Sequence, residues 1–299
     1  MRNTARLTNA QLTEPAAIAV RRVALARIDA VTVAYRSFRA SDPEGLHDLR
    51  VALRRLRSWL RAFRPQFDDT LRRKARKRLT ALARATGAAR DAEVAVAWLA
   101  ALGPLRGPAA ISAQQGVVDE STAARRAAAR VLGRELPRVL AALRAQLSLT
   151  AASSRVTVGA RARPAAPVIA AVVRGEAALL ERALARADSL SRTTELHRAR
   201  IEGKRLRYLL EPLGRRRGIA DIDRALTSMQ DVLGAMRDAH VLSGRFATTR
   251  SLAAAAKRAE RSEFARFRRA WRPRASALLL RRVASVCRDL DAMDAESTA

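Results

Sequence analysis

The sequence predicts an all-α fold composed of two related halves, and three observations lead to that prediction. Apolar residues recur at the helical spacing of three and four along most of the chain. No segment shows the convincing alternation of a sheet strand, and one arginine-rich pattern occurs twice in the same order. We predict that the halves span residues 12–147 and 167–293 and are joined by a linker at 148–166.

The first copy of the pattern lies in His47–Pro65, which predicts a helix with two opposite faces. Each residue of a helix turns about 100° around the axis, so five basic residues fall within an arc of about 80°. These residues are His47, Arg50, Arg54, Arg57 and Arg61. Leu53 and Trp59 belong to the opposite, apolar face, which is typical of a helix packed on a core. Because no acidic residue one turn away relieves the repulsion among the arginines, the basic face indicates an anionic ligand.

The second copy of the pattern lies in Glu195–Glu211. When His197 is aligned with His47, four further basic residues match at a constant offset of 150 residues. They are Arg200, Lys204, Arg205 and Arg207, which fall on Arg50, Arg54, Arg55 and Arg57. An Arg-Asp pair follows each copy, at Arg90–Asp91 and at Arg237–Asp238, with an offset of 147 residues. Two ordered matches at nearly one offset predict an internal duplication.

The two motifs, HxxRVxxRRLR and HxxRIxxKRLRY, each followed by its Arg-Asp pair, resemble the conserved histidine α-helical domain (CHAD) family over roughly residues 12 to 291. The resemblance implies two four-helix bundles related by a pseudo-twofold axis. It also implies a basic central cavity between them that binds inorganic polyphosphate. One feature departs mildly from the pattern: Gly203 lies inside a predicted helix, at a cost of about 1 kcal/mol relative to Ala, which suggests a close helix crossing.

In the first half, capping and breaking residues set the predicted boundaries. Residues 1–11 are interpreted as a loose basic lead-in and Thr13 as an N-cap, while Asp68 and Asp69 are expected to open the third helix. The predicted helices are about 13–38, 47–65, 68–85, 88–102 and 112–147, the last with a bend at Pro137.

The second half repeats this plan after the linker, in which 156–158 suggests a short extended piece. Its predicted helices are about 167–187, 194–213, 220–233, 237–248 and 251–293, the last interrupted near Pro273.

The charge of the chain points to a polyanionic partner. Lys and Arg number 58 against 28 Asp and Glu, a net charge of +30, and arginine supplies most of the positive side. Guanidinium groups match phosphate oxygens in pairs, so polyphosphate, nucleic acid or an anionic membrane surface would fit. An arginine-rich codon usage is the alternative explanation for the surplus, although it does not explain ordered stripes.

Targeting signals are not evident in the sequence. The single cysteine, Cys287, suits a reducing compartment. The first residues lack the apolar segment of a secretory signal, and no run of about 18 apolar residues is present. We therefore expect a cytoplasmic protein, associated with polyphosphate granules and without a membrane anchor.

The candidate polyphosphate-binding residues fall into three groups. The central group comprises Arg50, Arg54, Arg57, Arg200, Lys204 and Arg207. A second group, whose facing is less certain from sequence, comprises Lys74, Arg78, Arg90 and Arg237. The remaining candidates are His47, Arg55, Arg61, His197, Arg205 and Tyr208. For any single residue the alternative is an ordinary solvated surface charge.

Several of these side chains have more than one interpretation. Neighbouring cations should lower the pKa of His47 and His197, so each could donate a hydrogen bond to phosphate or serve a structural role; a metal site lacks further ligands on the same face, and no cofactor is expected. Tyr208 could contact phosphate or pack inside, and Glu211 is expected to pair with a cation. The Asp of each Arg-Asp pair is interpreted as a helix cap or as a group that orients an arginine.

Two rival functions are weaker. A nucleic-acid binder would be expected to offer more than 4% aromatic residues for base stacking, although non-specific binding to phosphates stays open as the alternative. An enzyme of phosphoryl transfer normally needs carboxylate-held Mg²⁺ and a phosphate loop. The sequence contains neither a GxxxxGK(S/T) motif nor the acidic ExExK pattern of tunnel triphosphatases, so we predict a non-catalytic protein.

Overall fold

The structure, a computed structural model, describes residues 6–42, 44–67, 71–157, 163–214 and 216–298. Within these residues the chain forms eleven α-helices and no strand, which confirms the predicted all-α class. The helices are α1 (Asn9–Thr13), α2 (Ala16–Arg39), α3 (Gly45–Ala62), α4 (Arg73–Ala85), α5 (Gly87–Ala101), α6 (Pro108–Thr157), α7 (Ala165–Arg186), α8 (Thr193–Leu210), α9 (Ile219–Arg245), α10 (Arg250–Ala270) and α11 (Pro273–Thr298). Short 3₁₀ turns follow α3 and α8.

The helices pack in two sets that meet along the middle of the molecule. In the first half α2 packs on α3 and α6, and both α4 and α5 pack on α6. In the second half α7 packs on α8 and α11, and α9 packs on α8 and α10. Between the halves α2 contacts α7 and α3 contacts α8, so the helices with the repeated basic pattern are direct neighbours. The internal duplication stays a prediction from the sequence.

The core runs continuously through both halves and is supplied by the apolar faces that the helical spacing predicts. Leu53 and Trp59 of α3, Ile169 of α7 and Leu206 of α8 are all fully buried in one cluster. A smaller apolar cluster joins α5 and α6 to the end of α9 and the start of α10, where the rings of Trp98 and Phe246 stack 5.8 Å apart. The halves therefore meet in both apolar clusters.

The beginning of the described chain is ordered and packed against the second half. Thr8 and Gln11 form a capping box at the start of α1, and Leu12 is fully buried. The Leu7 amide donates to the Pro212 carbonyl at 2.8 Å. The interpretation of a loose lead-in is therefore wrong for residues 6–11, and residues 1–5 lie outside the described part. Pro15, not Thr13, occupies the N-cap position of α2.

Two interruptions predicted from the sequence are absent from the structure, because a helix that has formed can continue through residues with little helical periodicity. The helix α6 contains Pro137 and extends to Thr157, so the predicted extended piece is wrong for 156 and 157, and 148–157 is helix rather than linker. Adding a residue to an existing helix costs far less than nucleating one, so a helix can outlast its apolar periodicity. The helix α9 likewise runs without a break between the predicted segments 220–233 and 237–248, and Val232, Leu233 and Met236 on its inner face are buried.

Other boundaries agree or fall outside the description. The predicted interruption near Pro273 is confirmed by the end of α10 and the start of α11. The predicted opening of the third helix at 68–69 and position 158 of the linker lie outside the described residues; α4 begins at Arg73. No described helix combines the length and the apolar character that a membrane crossing requires.

Candidate functional site

The helices α3 and α8 position the basic residues by burying their opposite faces. Leu49, Leu53 and Leu56 of α3 are fully buried, and so are Leu196 and Leu206 of α8. This packing fixes the rotation of each helix about its axis. The residues of the repeated basic pattern must therefore project away from the core side of each helix.

Four helices bring their basic residues together into one group. Arg54 of α3 acts electrostatically on Arg200 and Lys204 of α8, which shows that the two repeats face each other. Arg90 of α5 acts in the same way on His47, and Arg237 of α9 acts on His197. We name this group the central cluster; it comprises His47, Arg50, Arg54, Arg90, His197, Arg200, Lys204 and Arg237.

The central cluster is held in an environment that disfavours its own charge. Burial, with added repulsion from Arg200 and Arg54, lowers the pKa of Lys204 to about 6. Burial is also the main reason that the pKa of Arg50 falls to about 10, with Arg54 contributing. The pKa values of His47 and His197 are lowered by burial and then by the neighbouring arginines. A bound anion would oppose these effects because its attraction favours the charged form of each cation.

Some polar nitrogens of the basic helices are buried without a hydrogen-bond partner among the described residues. They are Nε of Arg57, Nδ1 of His197, Nε of Arg200 and Nε of Arg207. Leaving such a group unpaired costs about 1–3 kcal/mol, and more when it is charged. Oxygen atoms of an anionic ligand would supply the missing acceptors.

Five of the predicted arginines lie within ion-pair distance of a carboxylate. Arg90 lies 3.5 Å from Glu93 and Arg207 lies 4.0 Å from Asp223, and three others are paired more closely. Arg55 holds Glu211 at 2.7 Å through both of its oxygens, Arg61 holds Glu176 of α7 at 2.9 Å, and Arg205 holds Glu202 at 2.6 Å. The pairing expected for Glu211 is thereby confirmed. The structure thus separates the predicted set into cations that are already neutralised and cations that are not.

Two clefts lie near these helices. The larger, about 1430 Å³, runs between α2–α3 and α8–α9 and combines Arg27, Arg55 and Arg207 with Asp223 and Asp231. Because its charge is mixed and the central cluster does not line it, this cleft does not confirm the basic central cavity. The smaller cavity, about 270 Å³, adjoins the cluster at His197 and Arg237.

Comparison with known proteins identifies the family of this arrangement. The sequence model of the CHAD domain matches residues 21–247, about three quarters of the chain. The chain belongs to the CHAD domain family. The crystal structure of the CHAD domain from the plant Ricinus communis matches 95% of this chain and 96% of its own, with a TM-score of 0.69 and 24% sequence identity, which shows a shared fold. No curated protein matches the sequence.

The acidic residues of the CHAD domain's two Arg-Asp pairs support neighbouring arginines. Asp91 and Asp238 lie inside α5 and α9, beyond the first turn, so the interpretation as helix caps is wrong. Asp91 acts attractively on Arg50 and Asp238 on Arg200, which favours the alternative role of orienting an arginine. Burial raises the pKa of Asp238 against the opposing pull of Arg200.

Several predicted residues lie outside the central cluster. Tyr208 is only 1% exposed, with its ring between the guanidinium groups of Arg55 and Arg207, each 5.6 Å away. This is the packing role, and we correct its assignment as a ligand contact. Lys74 and Arg78 are exposed on α4, and none of the interactions that join the cluster involves them within the described residues. Arg207 donates to the hydroxyl of Thr227 at 2.9 Å and lines the larger cleft.

Sequence reasoning missed Arg27, which joins the two basic helices. Its guanidinium donates to the backbone carbonyls of Arg55 at 2.6 Å and Tyr208 at 2.5 Å. Burial lowers its pKa to about 10 despite the nearby Glu211 carboxylate. A detectable signal existed, since Arg27 stands at a helical spacing from the buried Val20, Val23 and Val31 of α2 and is thus a cation on an apolar face.

Cofactor chemistry has little support in the described residues. They contain no group of three or more His, Cys, Asp or Glu side chains placed to hold a metal ion. His240, to which sequence analysis gave no role, contacts the Glu260 carboxylate through Nδ1 at 2.8 Å and lines the smaller cavity. What the site offers chemically is a set of converging hydrogen-bond donors with positive charge.

Proposed function

We propose that this CHAD domain binds inorganic polyphosphate on the central cluster without catalysing its turnover, and that this binding carries the protein to polyphosphate granules in the cytoplasm. The observation on which the proposal rests is the convergence of α3, α5, α8 and α9. Each helix brings cations to the same region, and buried nitrogens of His197 and Arg200 have no hydrogen-bond partner among the residues that the structure describes.

The chemistry of the cluster favours a polymeric anion over a single phosphate. Each contact with a phosphate releases condensed counterions, so several contacts together give tight and steeply salt-dependent binding. A chain long enough to contact both α3 and α8 makes its second contact at high effective concentration. Arginine, which supplies Arg50, Arg54 and Arg200, also binds phosphate oxygens in a fixed two-pronged geometry.

The kinds of residue present support a non-catalytic role. Phosphoryl transfer normally uses Mg²⁺ held by carboxylates. Asp91 and Asp238, the acidic residues of the two Arg-Asp pairs, each act attractively on an arginine of the cluster. The sequence also lacks the phosphate-loop and ExExK motifs.

Competition among polyanions tests this proposal. Labelled long-chain polyphosphate, duplex DNA and single-stranded RNA would be titrated with the full chain at about 0.15 M salt, where weak surface electrostatics are screened. We expect polyphosphate to bind most tightly. A tighter complex with duplex DNA would replace the proposal with non-specific nucleic-acid binding.

A second measurement tests the absence of catalysis. Long-chain polyphosphate would be incubated with the protein and Mg²⁺, and release of orthophosphate would be followed over hours. We expect no release above the rate in buffer. Release that disappears in the Arg54→Ala variant would assign an enzymatic activity to the cluster instead.

A further inference from the structure

The smaller cavity has an apolar part of its lining that inorganic polyphosphate cannot use. The cavity has a volume of about 270 Å³ and lies next to the central cluster. Its apolar lining residues are Leu190, Leu196, Leu233 and Met236. Its polar lining residues include His197, Arg237, His240 and Glu260. A polyanion gains nothing from apolar walls, whereas an organic group that leaves water there gains free energy in proportion to the area it buries.

Two residues belong to the cavity and to the central cluster at once. His197 and Arg237 line the cavity, and they also act electrostatically on each other within the cluster. Nδ1 of His197 is buried without a hydrogen-bond partner in the described structure. A ligand with a phosphate part on the cluster and an organic part in the cavity would therefore use both surfaces.

We propose that the cavity holds the base of a nucleoside triphosphate whose phosphates lie on the central cluster. This inference rests on the anion site of the proposed function and adds an organic ligand class to it. Pockets for drug-sized ligands measure about 300–1,000 Å³, so a cavity at or below the lower limit suits one nucleobase rather than a larger molecule.

The polar residues that line the cavity should discriminate among nucleobases. The Glu260 side chain is only 12% exposed, and its Oε1 lies 2.8 Å from Nδ1 of His240. A buried carboxylate accepts hydrogen bonds and recognises the exocyclic amine of a base. ATP presents such an amine, whereas the equivalent position of UTP is a carbonyl that the carboxylate would repel. ATP should therefore bind more tightly than UTP.

The corresponding region of the first half has a carboxylate, but it is not free to recognise a base. At the offset of 147 residues, Glu93 takes the place of His240. Glu93 is paired with Arg125 of α6 at 3.2 Å and lies 3.5 Å from Arg90 of the central cluster, and Arg125 also lies 5.3 Å over the ring of Phe38. Its carboxylate is thus already neutralised by a guanidinium, so the second half alone is proposed to bind a base.

The experiment measures the affinities of ATP, UTP, inorganic tripolyphosphate and long-chain polyphosphate for the full chain by calorimetry, without Mg²⁺. Three variants accompany the wild type. Thr194→Trp fills the cavity from an exposed position, Glu260→Gln removes the carboxylate without changing shape, and Glu93→Gln is the matched control in the first half. Circular dichroism establishes that each variant is folded.

We expect ATP to bind at least tenfold more tightly than tripolyphosphate and about fivefold more tightly than UTP. Thr194→Trp should abolish the first ratio and leave long-chain polyphosphate within twofold, while Glu260→Gln should abolish only the second ratio. Glu93→Gln should change neither. Equal affinities of ATP and tripolyphosphate for the wild type would overturn the inference, as would an equal loss of both in Thr194→Trp.

The polyphosphate titration separates this inference from the proposed function. Tight binding of long-chain polyphosphate without a preference for ATP leaves the proposed function standing and removes the base pocket. A cavity-dependent preference for ATP without tight binding of long chains supports the pocket and removes the polyphosphate proposal. If no phosphate compound binds, both are wrong.

Discussion

The helices α3 and α8 carry the same spacing of basic residues but hold their charge differently. Arg50 of α3 keeps a pKa of about 10 in spite of burial, so it is fully charged near neutral pH. Lys204 of α8, which matches Arg54 in the repeat, has a pKa of about 6 and is mostly neutral at pH 7 without a ligand. The first repeat is therefore permanently cationic, whereas the second gains part of its charge when an anion arrives.

This difference shows that the residue type and its burial together determine the pKa of each cation. A guanidinium delocalises its charge and is more weakly hydrated, so burial rarely removes its proton. An ammonium group is compact and strongly hydrated, and burial readily lowers its pKa below neutrality. Replacing one arginine of the pattern with lysine in a buried position thus converts a fixed charge into a titratable one.

The largest expected effect comes from removing one cation of each repeat. The double change Arg54→Ala and Lys204→Ala should weaken binding of long-chain polyphosphate by about 100-fold, since charge-assisted hydrogen bonds contribute about 1.5–3 kcal/mol each. The salt dependence should also become less steep because fewer counterions are released. Fluorescence titration at several salt concentrations measures both quantities.

A variant with the same loss of charge elsewhere provides the control. Arg134 and Arg138 are exposed on α6, away from the central cluster. Changing both to Ala should reduce the affinity by less than threefold. Equal losses in the two double variants would mean that net charge, and not the facing of α3 and α8, governs binding.

The next largest effect is expected on stability, at the ion pairs of Glu211 between the two halves. Glu211 binds Arg55 through both oxygens and lies 3.7 Å from the buried Arg27. Glu211→Gln should lower the free energy of unfolding by about 2–3 kcal/mol because two guanidinium groups lose their countercharge. Urea denaturation measures this, with Asp291→Asn as the control. Asp291 forms a more exposed ion pair with Arg174, so its loss should cost less than about 1 kcal/mol.

Protonation of Lys204 should have a smaller effect on polyphosphate affinity. The direction of this effect with pH follows from the lowered pKa of the amine. Arg200, Arg54 and Arg207 repel its charge, and Asp238 opposes them. A bound polyanion favours the protonated amine, so polyphosphate affinity should rise about tenfold as the pH falls from 8 to 6. Calorimetry in two buffers of different ionisation enthalpy should show proton uptake on binding at pH 7.5. Uptake that is unchanged in Lys204→Arg would contradict the assignment of this proton.

Without ligand, the same group predicts how stability depends on pH. The folded pKa of about 6 lies below the ordinary value of 10.5, so between these values the unfolded chain binds more protons than the folded chain. The contribution of Lys204 to stability therefore becomes more favourable as the pH rises through this window. Relative to Lys204→Met, the wild type should gain unfolding free energy from pH 6 to pH 9 in urea titrations. A constant difference would show that the amine stays protonated.

The smallest effect is expected at Tyr208. Because its side chain is buried between Arg55 and Arg207, Tyr208→Phe should change polyphosphate affinity by less than twofold. The same titrations measure this. A loss of tenfold or more would restore Tyr208 as a ligand contact and would require the ring to leave its buried position.

The basic helices were predicted closely because their signals are local. The helix α3 begins two residues before His47 and ends three before Pro65, and α8 begins one residue from its predicted start. Gly203 faces α9, where an added Cβ would meet the terminal carbon of the flexible Met229 side chain. The close crossing of helix backbones that it suggested stays a prediction.

The division of the arginines could not be predicted from the sequence. Arg54 and Arg55 are adjacent, yet only Arg55 is held by Glu211, which stands 156 residues later in the chain. Arg27 was missed for the same reason, because its carbonyl acceptors belong to two other helices. Such partners are set by which helices pack together, and local spacing contains no information about them.

The sequence by itself determined the helical class, the two basic faces and their repeated order, because each depends on the spacing of residues within one helix. Only the tertiary structure decided which cations are neutralised, which are unpaired and that burial lowers the pKa of Lys204 to about 6. Those properties depend on burial and on charges from distant helices, and both arise only when the chain has packed.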